Sequence, residues 1–228
     1  MKILAIDTAT EGCSAALLND DDIISRLQVV PRKHADLILP MLDEILAEAQ
    51  LSVKQLDALA FGRGPGAFTG VRIATGVIQG IAFGSDLPVV PVSTLRALAQ
   101  RTCNDHQHEK VLTAFDARMD EIYWAEYVLD GNGIMQLQGE EQVIAPQMVS
   151  LSSSRQQWVG SGGGWAAYGD ILKQVVSAES ISVYPDMITR ADEIAILAGH
   201  DFKKGMSVGA ENALPVYLRN KVAKKKSA

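Results

Sequence analysis

The sequence has few cysteines and no long apolar run. Its 228 residues include two cysteines, Cys13 and Cys103, whose separation fits no metal-ligand spacing, so we expect free thiols in a reducing compartment. No run approaches the roughly 20 apolar residues of a membrane helix, and Asp7 ends the apolar start well short of a signal-peptide core. These absences predict a cytoplasmic protein without membrane association, which needs neither a disulfide nor a metal to fold.

The sequence also lacks the positive charge typical of a protein that binds nucleic acid alone. Its formal net charge is −6 and its pI about 5.2, and an acidic surface is repelled by a polyphosphate backbone. The end of the chain is the exception, because it carries Arg219, Lys221, Lys224, Lys225 and Lys226. This tail indicates either a solvated end or a segment that touches phosphate within a larger complex.

The order of predicted elements occurs twice. Each copy opens with three strands, the first of which ends in an aspartate, Asp7 or Asp116. Six elements then follow in the same order in both copies: helix, strand, glycine-rich loop, helix, strand and helix. In the first copy they lie at 34–50, 58–61, 62–66, 70–83, 89–92 and 94–102. In the second copy they lie at 146–151, 157–160, 161–164, 166–176, 181–184 and 191–203. Pro40 predicts a kink or a late start for the first of these helices.

Strands that alternate with helices predict a mostly parallel sheet covered on both faces. We therefore predict an α/β protein with two similar subdomains, residues 1–108 and 109–228, around a cleft. The C-terminal segment is a candidate to pack back on the first subdomain.

Two glycine-rich loops and the two aspartates are the candidates for a nucleotide or phosphate site. Bare backbone amides at a helix start can cradle an anion, but the same glycines also suit a purely structural turn. The loop at 62–66 is neither a Walker loop nor a dinucleotide fingerprint. The candidate site residues are Asp7, Thr8, Gly64, Gly66, Asp116, Arg118, Gly162 and Gly163.

Four blocks carry a resemblance to a known family: Ile3–Thr10, Gly62–Ile73, Phe115–Trp124 and Pro215–Arg219. Together they resemble the TsaB family, also called YeaZ, over essentially the whole chain. The resemblance implies a duplicated actin-like, hexokinase-like (ASKHA) fold. It also implies a subunit that works with TsaD and TsaE in placing threonylcarbamoyl on the adenosine beside the tRNA anticodon. It further implies a heterodimer with TsaD, a homodimer in isolation, and contact with tRNA only through the complex.

The residues that differ from catalytic relatives predict an accessory subunit. TsaD-type proteins carry two histidines four residues apart on a helix, which places both on one face for a shared metal. The matching positions here hold Thr94 and Leu98, and Ala9 replaces the glycine of the Asp-x-Gly-Thr turn of actin-like ATPases. We therefore expect no catalytic residue, no metal site and no cofactor. A stand-alone nucleotide-binding ATPase or a metalloprotease of the same fold remains the alternative.

The first-half helices are the expected contact surface for a partner subunit. The helix at 34–50 has a wide apolar stripe, and small residues in the helix at 70–83 would let another helix approach closely. The candidate interface residues are Leu37, Met41, Ile45, Ala74, Val77, Ile78 and Ile81, and we expect Met41 and Ile78 to be exposed.

Overall fold

The chain forms two five-stranded sheets in a computed structural model that describes residues 1–30, 32–152, 157–176 and 181–219. The first sheet contains β1 (Lys2–Asp7), β2 (Cys13–Asn19), β3 (Asp22–Gln28), β4 (Ala58–Gly62) and β5 (Val89–Val92). The second contains β6 (Lys110–Arg118), β7 (Glu121–Leu129), β8 (Met135–Ile144), β9 (Val159–Ser161) and β10 (Val183–Tyr184). Five helices accompany them: α1 (His34–Glu48), α2 (Phe68–Ser85), α3 (Thr94–His106), α4 (Gly163–Val175) and α5 (Ala191–Lys203).

The two sheets have the same strand order, which confirms the duplication. The first runs β3-β2-β1-β4-β5 and the second, read in the same sense, β8-β7-β6-β9-β10. In each, the first three strands pair antiparallel and the last two run parallel to the first. This is the actin-like, hexokinase-like arrangement that the resemblance implies.

The central strands β1 and β6 are buried on both faces, and their alternate residues point to opposite sides of the sheet. In β1, Leu4 and Ile6 pack with α1 and α2, whereas Ile3 and Ala5 pack with α5. In β6, Leu112 packs on the side of α4, while Val111 packs with α3. From one side of the molecule to the other, the order is therefore α1 with α2, then the first sheet, then α5, then α3, then the second sheet and finally α4. Each inner helix covers the sheet of the other half.

The segment after α5 runs back along the first half. Val208 exchanges two backbone hydrogen bonds with Val89 of β5, at 2.8 and 2.9 Å. Ala213 is fully buried in the core formed by α1, α2 and the first sheet. The Val216 amide donates to the Arg63 carbonyl at 2.8 Å, and the Arg219 side chain then donates to the Arg118 carbonyl in the second half at 3.1 Å.

One helix predicted from the sequence is wrong. The segment 146–151 contains a single 3-10 turn, Pro146–Met148, so the described residues between β8 and β9 hold no counterpart of α1. The helix α1 begins at His34, as predicted, with Pro40 inside it, so of the two expectations for Pro40 the late start is wrong. None of the helices in the described ranges combines the length and the apolar character needed to cross a membrane.

Candidate functional site

Asp7 ends β1 in a fully buried position. Its carboxylate accepts a hydrogen bond from the Ala9 amide at 3.0 Å and another from the Thr189 hydroxyl. Burial raises the pKa of Asp7 above the ordinary carboxyl value, although these hydrogen bonds oppose the shift. The carboxylate is therefore occupied by the chain's own donors.

The glycine-rich loop packs directly on the turn that follows Asp7. The Ala67 amide donates to the Ala9 carbonyl at 2.8 Å, and the Thr8 hydroxyl donates to the Gly70 carbonyl at 2.7 Å. A Cβ added at Gly66 would lie 2.4 Å from the Ala9 carbonyl oxygen, and one at Gly70 would lie 2.0 Å from that of Thr8. The missing side chains let two stretches of backbone touch, so chain atoms fill the space above the turn.

Gly64 has a conformational reason to be glycine. Its φ of +96° is disfavoured for residues with a side chain, and its carbonyl accepts from the Thr94 amide at 3.1 Å. An added Cβ would approach the Val216 carbonyl oxygen to 3.1 Å. Gly64 thus joins the loop to α3 and to the C-terminal segment.

The two positions that match the histidine pair of catalytic relatives are buried in the chain. Thr94 donates its hydroxyl to the Pro65 carbonyl, and Leu98 is fully buried against Gly162, where an added Cβ would lie 2.7 Å from a Leu98 methyl group. The two side chains hold the glycine loops against α3. In the described ranges, no three or more His, Cys, Asp or Glu residues are grouped so that they could hold a metal ion.

The candidate residues of the second half lie in two separate places. Asp116 accepts from the Arg118 amide at 2.7 Å and pairs with its guanidinium at 3.0 Å, in a turn where the Arg118 side chain is 84% exposed. Gly162 has φ +98°, and a Cβ there would lie 2.6 Å from the Ala114 carbonyl oxygen. Its neighbour Gly163, at the start of α4, is exposed, and an added Cβ there would meet nothing within 4 Å.

The structure thus groups Asp7, Thr8 and Gly66 with one another. The polar contacts of Asp116 in the described ranges are with Arg118. Sequence reasoning missed Thr189, the residue that does contact Asp7. Nothing local marks Thr189, since it lies 182 positions from Asp7 in the chain.

The predicted interface residues divide between the core and the surface. The expected exposure of Met41 and Ile78 is wrong: Met41 is 3% exposed and Ile78 is fully buried. Ile45 and Ala74 are buried with them, because all four pack on the outer face of the first sheet. Leu37, Val77 and Ile81 are partly buried beside this core.

The outward face of α2 consists of other residues. Arg72, Gly76, Gly80 and Phe83 are exposed, and Phe83 is 87% accessible. A Cβ added at Gly76 or Gly80 would meet nothing within 4 Å. We call the set Arg72, Gly76, Gly80 and Phe83 the α2 face. Its two glycines leave the helix backbone bare to solvent.

Comparison with known proteins gives consistent results. The family model for TsaD, described as tRNA N6-adenosine threonylcarbamoyltransferase, matches residues 28–227. The tRNA threonylcarbamoyladenosine biosynthesis protein TsaB of Escherichia coli strain K12 is 45% identical, over 99% of this chain and 98% of its own. The protein of the same name from Haemophilus influenzae is 40% identical, over 99% and 97%. The solved structure of YeaZ from Pseudomonas aeruginosa superposes with a TM-score of 0.90 at 45% identity, covering 95% of this chain and 99% of its own. The chain belongs to the TsaB (YeaZ) family.

Proposed function

We propose that the chain is a non-catalytic subunit that binds and activates TsaD, together with TsaE, for threonylcarbamoylation of the adenosine adjacent to the tRNA anticodon. Its TsaB relatives are named for the biosynthesis of this tRNA modification, which supports a role of the chain in the same pathway. The packing of Gly66 and Gly70 on the Thr8–Ala9 turn supports the accessory role, because the chain's own backbone fills the space over that turn.

The alternative of a stand-alone ATPase or metalloprotease has less support from the residues. Thr94 and Leu98 are packed against the glycine loops, and leucine offers no lone pair to a metal. Asp7 is fully buried with its carboxylate bonded to Ala9 and Thr189. Either activity would therefore need a different set of residues from the one that the fold places at these positions.

We place the contact with TsaD on the α2 face. Gly76 and Gly80 have open space above them, so a helix of another protein can approach the α2 backbone closely. The match of the TsaD family model to residues 28–227 indicates that a TsaD subunit has a similar fold and an equivalent helix. Two like helix faces can pack about an approximate two-fold axis. A second copy of this chain would use the same face, so we expect a homodimer when the chain is alone.

This role puts the subunit in the cytoplasm and in contact with tRNA only as part of the complex. The net charge of −6 supports that arrangement, since an acidic protein alone has little affinity for a polyphosphate.

The test uses purified chain, TsaD, TsaE and unmodified tRNA. We expect tRNA modification only in the mixture that contains this chain, and no ATP hydrolysis or peptide cleavage by the chain alone. Gly76→Met should weaken TsaD binding and modification together, because its side chain occupies the α2 face. Gly169→Met on α4, where an added Cβ also meets nothing within 4 Å, is the matched control. Robust ATP hydrolysis by the lone chain, or full activity without it, would refute the proposal.

A further inference from the structure

Arg72 lies at one end of the α2 face, held between two exposed aromatic rings. Its guanidinium carbon lies 3.6 Å from the centre of the Phe68 ring and 5.7 Å from that of Tyr217. Its Nε donates to the Tyr217 hydroxyl at 2.9 Å. Phe68 is 55% exposed and Tyr217 45% exposed, so the cluster sits at the surface. Stacking and one hydrogen bond together fix the plane of the guanidinium.

The outer end of this guanidinium is free to bind. Its two Nη nitrogens make no hydrogen bond or ion pair with any residue in the described ranges. No carboxylate in the described ranges pairs with the Arg72 guanidinium, so its positive charge is not balanced by an ion pair there. Two parallel N–H donors on a planar cation match the two oxygens of a carboxylate.

We infer that Arg72 is a specificity-determining contact that receives an aspartate or glutamate side chain of the protein docked on α2. This inference rests on the proposed function, because the docked protein is TsaD. Arg72, Gly76 and Gly80 follow one another at intervals of four residues on the helix, so a chain that covers the glycines also passes Arg72. The bare backbone at Gly76 and Gly80 beside Arg72 suits a closely packed protein helix, which favours a protein carboxylate over a nucleic-acid phosphate as the occupant.

Preorganisation makes the contact specific. Arginine and tyrosine dominate the binding energy of many interfaces when neighbouring groups hold them in place. Phe68 and Tyr217 come from different parts of the chain, since Tyr217 lies on the C-terminal segment that returns along the first half. The rings hold the guanidinium before any partner arrives, so less side-chain entropy is lost on binding.

The experiment measures the affinity of the full chain for purified TsaD. Arg72→Lys keeps the charge but loses the planar pair of donors, and we expect a roughly ten- to hundredfold weaker complex. Tyr217→Phe removes the acceptor that holds Nε and should cause a smaller loss. Arg26→Lys is the control, because the Arg26 guanidinium already pairs with Glu44 and Glu48 on the chain's own surface. Circular dichroism and thermal midpoints check that each variant is folded.

A carbodiimide reaction identifies the occupant. The amine introduced by Arg72→Lys can be coupled to a touching carboxylate, and mass spectrometry should find it joined to an aspartate or glutamate of TsaD. Wild-type affinity in Arg72→Lys would overturn the inference and leave the proposed function standing. Coupling only to a second copy of this chain when TsaD is bound, or a loss confined to tRNA binding by the complex, would also overturn it. Failure of the wild-type chain to bind TsaD would refute both.

Discussion

The Thr189 hydroxyl donates a hydrogen bond to the carboxylate of Asp7, although the two residues are 182 positions apart. Asp7 ends the first strand of the first half, and Thr189 lies just before α5 in the second half. Both side chains are fully buried. The bond therefore joins the two copies of the repeat at the position where sequence reasoning placed a ligand-binding carboxylate.

Asp7 should make stability depend on pH. Burial raises its pKa in the folded protein above the value of about 3.9 expected in the unfolded chain. At a pH between the unfolded-state pKa and the folded-state pKa of Asp7, the folded protein therefore binds more protons than the unfolded chain. The free energy of unfolding falls as the pH rises through this range. We expect Asp7→Asn to raise the free energy of unfolding at neutral pH and to reduce this dependence, as measured by urea denaturation. The exposed Asp43→Asn is the control. A lower free energy of unfolding for Asp7→Asn than for the wild type at neutral pH would contradict the raised pKa of Asp7.

The glycines of α2 should respond oppositely to alanine. At Gly70 the new Cβ would lie 2.0 Å from the Thr8 carbonyl oxygen, so backbone must move. We expect Gly70→Ala to lower the free energy of unfolding by about 2 kcal/mol or more. Gly76→Ala meets nothing within 4 Å and should raise it by up to about 1 kcal/mol, the helix-propensity difference. Chemical denaturation of the two variants checks both signs, and equal effects would be inconsistent with the packing described.

An ion pair links the two inner helices. The Arg96 guanidinium of α3 lies 2.6 Å from the Asp201 carboxylate of α5, with side-chain exposures of 15% and 8%. Arg96→Met leaves the Asp201 charge buried without this cation, and we expect a loss of about 3 kcal/mol. The double variant Arg96→Met with Asp201→Leu should lose less than the sum of the single changes. Additive losses in the double-mutant cycle would argue against direct coupling.

The thiol of Cys13 should be unreactive in the folded protein. It is fully buried, and burial raises its pKa to about 11. Because the thiolate is the nucleophile, alkylation by iodoacetamide near pH 8 should be slow until urea unfolds the chain. Cys103 is 8% exposed and serves as the internal comparison, with faster native labelling expected. Mass spectrometry measures the alkylation of each cysteine over time. Rapid alkylation of Cys13 in the folded protein would contradict its burial.

The repeat was the feature most accessible from sequence, because each copy has its own strand and helix periodicity. The helix at 191–203 was predicted with its observed ends. The role of the glycine loop was not accessible, since the carbonyl groups that touch Gly66 and Gly70 lie more than fifty residues away in the chain. Apolar periodicity also could not separate core from exposed surface: Met41 and Ile78 face the first sheet, whereas glycines mark the outward face of α2.

The exchange of inner helices between the halves has a consequence for folding. A chain divided after residue 108 would give one product whose sheet lacks α5 and whose α3 has no sheet to cover. The other product would have the complementary defects. Each would expose a continuous apolar surface, so neither half is an autonomous folding domain despite the internal symmetry of the sequence. We expect the products to be insoluble when separate and to reassemble when refolded together.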